Sequence, residues 1–213
     1  MSTWRVQYTF GVNTVNTKPY HHGNLREEMI RIGVELAAEG GPEAVGLREI
    51  ARRASVSPSA AYRHFPGQES LLDAVRDAAG DALGQAMHDA VSQLPSDAPA
   101  TERVIAAGRG YFEFALNQRM LFRCLASGFE IPEGADANDN PFAQLLELVG
   151  EIEGAGFAAA DEAAQFSAGV ALWSAVHGIS VLCTSGALRD VPEQRKRELL
   201  EVTLATAVRG LRF

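Results

Sequence analysis

Apolar residues recur every three to four positions along most of this chain and strict alternation is absent, so the pattern predicts helices and no strands. Leu25, Met29, Ile32, Leu36 and Ala37 share one face of a first helix. Asn24 stands as its N-cap, and Glu27, three positions on, can return a bond to the cap's N–H. Gly40-Gly41-Pro42 ends that helix. Leu47, Ile50, Ala51 and Ala54 mark a short second helix, followed by a tight turn at Ser55-Val56-Ser57. Ser57 then caps a third helix with Pro58 at its first position, ending near His64 before Pro66-Gly67. A long fourth helix over 69–94 breaks at Pro95 to Pro99. Further helices are expected near 101–117, 119–126, 141–153, 161–185 and 192–211, with a polar loop at 134–140.

Composition places the chain among ordinary globular proteins, with 213 residues, 46% hydrophobic and 22% charged. The expected organisation is all-α: a leader at 1–22, a head at 23–83 and a body at 84–213. Net charge is −8, which argues against a protein that coats nucleic acid with its whole surface. The charge is uneven, however. Residues 1–66 carry eight Lys and Arg against six Glu, while the remainder carries eleven against twenty-one Asp and Glu. Such a distribution suits an anionic partner met only at the head.

Cys124 and Cys183 lie too far apart for a CxxC motif, and isolated thiols in apolar surroundings suggest a reducing compartment, the cytoplasm. The leader lacks the basic-then-apolar pattern of a signal peptide. The segment 163–188 has no Asp, Glu, Lys or Arg but carries Gln165, Ser167, Ser174, His177, Ser180, Thr184 and Ser185. It reads as a helix covered on one side by its own body and on the other by a second subunit, in preference to a membrane span. One of the two faces holds Phe166, Val170, Trp173 and His177. The other holds Ala168, Leu172, Ala175, Ile179 and Leu182.

The functional signal lies in residues 46–65. Two short helices joined by a three-residue turn form the helix-turn-helix pattern, whose first helix crosses the DNA backbone while the second enters the major groove. Arg48, Arg52, Arg53 and Arg63 offer cations and Tyr62 a hydroxyl to phosphates, although Arg52 could instead pair with Glu49. Pro58, Ser59 and Ala60 occupy the exposed first turn of the second helix. None of them can make the bidentate contact that Arg makes to guanine or Asn to adenine. Base readout there should be thin, with Arg48 and the leader's Lys18 adding to it.

The stretch Ile50 to Phe65 (IARRASVSPSAAYRHF), with Glu69, Leu71 and Leu72 after it, resembles the TetR/AcrR family of bacterial transcriptional regulators. The lead-in from Lys18 to Arg26 resembles one branch of that family, and Trp173 to Gly178 is similar to its WHG-type C-terminal domain. The resemblance implies an all-helical homodimer whose heads bind a palindromic double-stranded operator and whose bodies bind a small effector. It further implies that Ser57, Pro58, Ser59 and Ala60 lie near base edges. Tyr62 and His64 then touch phosphate, and Arg48 reaches backbone or bases. Three positions depart from the family pattern. Gln68 stands where Lys is common, Ser55 where Gly is usual in the turn, and Gly46 where Ser or Thr caps the second helix.

No catalytic constellation, metal site or cofactor motif is found. His21, His22 and His64 lack further ligands at metal spacing, and His177 lacks a nucleophile or paired carboxylate. Phe112, Phe122, Phe129, Phe166, Trp173 and His177 are the candidates for an apolar effector cavity in the body. Few charges fall among the aromatics there, so the expected effector is hydrophobic or weakly polar. The expected function is a cytoplasmic repressor released from DNA by that effector. The alternative is a helical ligand-binding protein whose head no longer binds DNA.

Overall fold

The structure is a computed structural model that describes residues 25–128, 140–152 and 162–211. All regular structure among these residues is helical. In chain order the helices are α1 (Leu25–Gly40), α2 (Leu47–Arg53), α3 (Pro58–His64), α4 (Gln68–Ser92), α5 (Ala100–Asn117), α6 (Arg119–Ala126), α7 (Pro141–Gly150), α8 (Glu162–Thr184) and α9 (Glu193–Gly210). A 3₁₀ turn at Pro42–Ala44 follows α1. The all-helical expectation holds. The Asn24 cap, Lys18 and Phe129 lie outside the described residues.

The head is α1 to α3 with the start of α4. Met29, Ile32 and Leu36 of α1 pack on Ile50 of α2, Ala61 of α3, Phe65, and Leu71 and Val75 of α4, all of them buried. Gly33 permits the close α1–α4 approach, because a Cβ there would lie 2.5 Å from Val75 Cγ2. The chain leaves α1 through Gly41 at φ +78, a conformation that L side chains rarely adopt. Ser55 occupies the same left-handed region at φ +56 in the α2–α3 turn, where glycine would carry no strain. Gly46 is the N-cap of α2 and makes no side-chain cap bond. Ser57 does cap α3, its Oγ accepting from Ala60 N at 3.2 Å.

Helix α4 runs from head to body and packs along α5, where a Cβ on Gly110 would meet the Ala86 carbonyl oxygen at 2.4 Å. The body core joins α4, α5, α6, α7, α8 and α9 through Leu83, Met87, Val104, Tyr111, Phe122, Phe142, Leu172, Trp173, Val176 and Leu204. Exposed ion pairs tie α5 to α9. Arg109 grips Glu201 with two 2.6 Å bonds, and Arg197 holds Glu113 at 2.6 and 3.0 Å. Each such pair contributes little by itself. Lys196 is buried and donates to the Arg189 carbonyl at 2.6 Å, closing the α8–α9 turn.

Helix α8 has 23 residues and a mean hydropathy of 1.6 in its most apolar window, enough by length and composition to cross a membrane. It nevertheless packs against α5, α7 and α9. Its two faces are drawn differently from the expectation. Ala168, Leu172 and Ile179 are buried together with Trp173, while Phe166 is exposed. The covered face is therefore set by Trp173 and Leu172 jointly, and the open stripe runs through Ala163, Ser167, Ala171, Ser174 and Leu182. On α9, Val202 is 65% exposed.

Candidate nucleic-acid interface and effector cavity

The two short head helices present α3 outward. Ser57, Pro58, Ser59, Tyr62, Arg63 and His64 are exposed and Ala60 is half-buried, whereas Ala61 and Phe65 anchor the helix in the core. Tyr62, 49% exposed, is a large aromatic that the core does not claim. An open cleft of about 560 Å³ lies between the start of α1, the α2–α3 turn and α3. It is lined by Leu25, Ser55, Val56, Ser57, Ala60, Arg63 and His64. Gln68, the first residue of α4, is exposed and sits just past the Gly67 cap.

Ion pairing sorts the head's arginines. Arg31 is held between Glu28 and Glu35. Arg52 forms a fork with Glu49, at 2.8 and 2.6 Å. Arg53 bonds to Glu49 at 3.0 Å and to Glu39 at 2.9 and 3.2 Å. These contacts hold the Glu49 carboxyl down to about 2. Arg26 lies 5.0 Å above the Phe65 ring, a cation–π contact. Arg48 and Arg63 are exposed and make no ion pair among the described residues. The Glu49 alternative weighed for Arg52 is the arrangement found, and Arg53 too is paired with carboxylates within the head.

The two serine hydroxyls at the start of α3 are also engaged. Ser57 Oγ caps the helix and lies 3.0 Å from Ser59 Oγ.

In the body, Tyr111 is the hub of an aromatic cluster. Its ring meets Trp173 edge-on at 5.0 Å and Phe122 at 5.8 Å, and its hydroxyl lies 2.7 Å from His177 Nδ1. Phe142 extends the cluster, 5.6 Å from Trp173 and 5.7 Å from Phe166. Burial pushes the Tyr111 phenol well above its ordinary range and pulls the His177 imidazole below its own. Beside this cluster is an apolar cavity of about 10 Å³, room for roughly one water. It is lined by Met87, Val104, Gly108, Tyr111, Leu145, Leu172, Trp173, Val176 and Leu204.

Of the expected pocket residues that the structure describes, only Trp173 lines that cavity. Phe122 and His177 stand behind Tyr111, Phe112 is wholly buried in the core, and Phe166 is partly exposed at the end of the cluster. The pattern missed Tyr111 as the centre because its partner lies 66 positions away. The cavity's aliphatic walls read only as core. Burial raises both Cys124 and Cys183 above the ordinary thiol range, which suits packing and not reactivity. Among the described residues no group of three or more His, Cys, Asp or Glu could hold a metal.

Residues 30–75 match the family described as bacterial regulatory proteins, tetR family, and residues 104–207 match the tetracyclin repressor-like C-terminal domain. The chain belongs to the tetR family. The WHG-type resemblance at Trp173 to Gly178 falls inside the second match. This TetR-family chain is a transcription regulator with a helix-turn-helix DNA-binding domain. A protein of unknown function from Rhodococcus sp. RHA1 is similar over 92% of this chain and 100% of its own, at 27% identity and a TM-score of 0.68. A TetR variant from Acinetobacter baumannii AYE, solved in complex with minocycline, has 17% identity and a TM-score of 0.63. It covers 90% of this TetR-family chain and 96% of its own. A tetR-family transcriptional regulator from Streptomyces coelicolor is 19% identical, with a TM-score of 0.57 and 90% of each chain covered. No curated protein matches.

Proposed function

We propose that this chain is a cytoplasmic, homodimeric repressor whose heads bind a palindromic operator and whose body takes a small apolar effector that releases it. The arginine sorting carries this reading. Among the described residues Arg48 and Arg63 alone of the motif's arginines are left without carboxylates, with the exposed Tyr62 beside Arg63, while the rest of the chain is acidic. Arg63, Tyr62, His64 and Gln68 take phosphates, and Arg48 takes backbone or base edges. Ser57, Pro58, Ser59 and Ala60 face the major groove. The uncovered small-residue stripe of α8, together with Val202 of α9, suits an isologous contact with a second copy.

The effector site is the Tyr111–Trp173 cavity. Pockets for drug-sized ligands have volumes of about 300–1,000 Å³, so this cavity has to widen to admit one. An effector that binds the widened form better shifts the population toward it, and can shift it only by that differential affinity. A protein of similar fold was solved in complex with minocycline, which supports a small-molecule effector for this chain.

The test is fluorescence anisotropy on duplex DNA from the region upstream of the chain's own gene, from 50 to 200 mM salt. Binding should weaken as salt rises. Arg63→Ala should flatten the log–log salt slope by about 0.9. Arg52→Ala should leave it unchanged, because Arg52 is already paired. Absence of salt-dependent binding by the wild-type protein would favour the alternative reading, a ligand-binding protein with an inactive head.

A further inference from the structure

The eight-residue helix α6 turns adjacent residues in opposite directions. Phe122 is buried, and its ring stands 5.8 Å from both Tyr111 and His177, at the edge of the body's aromatic cluster. Arg123, the next residue, reaches out of the body to the end of α1 in the head. There it donates to the Gly40 carbonyl at 3.2 Å and pairs with the Glu43 carboxylate.

The receiving surface is formed for a guanidinium. Gly41, at φ +78, lies directly beneath it, and a Cβ there would stand 2.2 Å from Arg123 Nη2. The last turn of α1 contains no basic residue of its own, so Arg123 supplies from the body the cation that a helix C-terminus favours. A second arginine reaches the C-cap of α6, one turn beyond Arg123. Arg76 of α4 bonds to Glu69 and Asp73 and reaches Ser127 Oγ at 3.5 Å.

We propose that Arg123 is a positioning residue for DNA recognition: it latches α1 to α6 and so fixes the angle at which the head presents α3. As an exposed ion pair alone, Arg123–Glu43 would contribute little. The carbonyl bond and the seat on Gly41 give it one defined geometry. Because Phe122 precedes it on α6, a shift of the Tyr111–His177 cluster moves the latch directly, in parallel with any motion carried by α4. The functional part of this inference rests on the reading of the chain as a DNA-binding repressor. The latch itself does not.

Both native cysteines are buried, so cysteines introduced by Glu27→Cys on α1 and Glu147→Cys on α7, both exposed positions, can be spin-labelled selectively. With labelled chains diluted in excess unlabelled protein, double electron–electron resonance should give one narrow distance distribution. Arg123→Ala should broaden or shift it, and Arg123→Lys should restore part of the narrow form. Arg109→Ala, which removes an exposed ion pair remote from the head, should leave it unchanged. On upstream DNA, Arg123→Ala should weaken binding about three- to tenfold through a smaller competent fraction, with the salt slope unaltered because no phosphate contact is lost. A distribution in Arg123→Ala of the same width and the same mean distance as in wild type overturns the latch. A flattened salt slope would make Arg123 a phosphate contact, which also overturns it. If the wild type binds no DNA, the repressor reading fails while the distance measurement still decides the latch.

Discussion

The Tyr111 hydroxyl lies 2.7 Å from His177 Nδ1, joining α5 to α8 where the surrounding side chains are almost wholly apolar. With the hydroxyl donating, the imidazole is neutral and carries its proton on Nε2, the form that burial favours. Tyr111→Phe keeps the ring and its edge contacts but leaves Nδ1 without its donor. We expect a loss of about 1 kcal/mol in urea unfolding. A larger cost for Trp173→Ala, about 3 kcal/mol, should separate lost packing from the lost bond. Equal stability of Tyr111→Phe and wild type would show that water replaces the hydroxyl freely.

His177 also sets a pH dependence. Burial lowers its folded-state value below the ordinary 6.5, so the unfolded chain takes up this proton first. Stability is therefore full above 6.5, falls as the pH drops through 6.5 toward the folded-state value, and loses nothing more from this group below it. Glu28, Glu39 and Glu49 are held below their ordinary 4.5 by arginines, so their contribution is lost only at lower pH. Urea midpoints at fixed protein concentration should decline between pH 8 and 5.5 in wild type. His177→Gln should flatten that decline; an identical decline in the variant would assign it to another group.

Much of the head was legible because its signals are local. The Ser57 cap, Pro58 at the first position of α3, the Gly41 exit and the apolar face of Met29, Ile32 and Leu36 each act within a few residues. What was not legible depends on distant pairs. Arg53 finds Glu39 on another helix, Tyr111 finds His177, and Arg123 finds Glu43, each set by packing and not by spacing. Helix α8 hid its faces for a related reason. It is apolar nearly all round, so periodicity does not say that Trp173 and Leu172 turn inward together while Phe166 stays partly open.

Two departures from the family pattern can be tested as stability defects of the head. Ser55 holds φ +56, and relieving it with Ser55→Gly should raise stability by about 0.5–1 kcal/mol, the larger backbone freedom of glycine offsetting part of the gain. Gly46 caps α2 without a side chain, and a Cβ there would meet nothing within 4 Å. Gly46→Ser should add a few tenths of a kcal/mol. Urea unfolding of the two single variants and the double should give additive gains. A destabilised Ser55→Gly would mean that the serine is held by contacts outweighing its strain.

Sequence discrimination should rest on the spacing of half-sites more than on any one base. Ser57 Oγ is committed to capping α3 and to Ser59 Oγ, and Ala60 and Pro58 offer only apolar contact to thymine methyls. No side chain in that first turn can make a bidentate base contact, each worth about 1–3 kcal/mol, so one wrong base under α3 should cost about fivefold in affinity. A dimer with fixed heads responds differently to spacing. Since B-DNA turns once in about 10–10.5 base pairs, two inserted pairs rotate one half-site by roughly 70° and carry it about 7 Å along the axis. Both recognition helices can then no longer seat together, and affinity should fall toward that of one head, by about a hundredfold or more. Anisotropy titrations on an operator series with single substitutions and with two-pair insertions or deletions would measure both. If one substitution abolishes binding while the spacing changes are tolerated, α3 reads bases directly through contacts that its side chains do not reveal here.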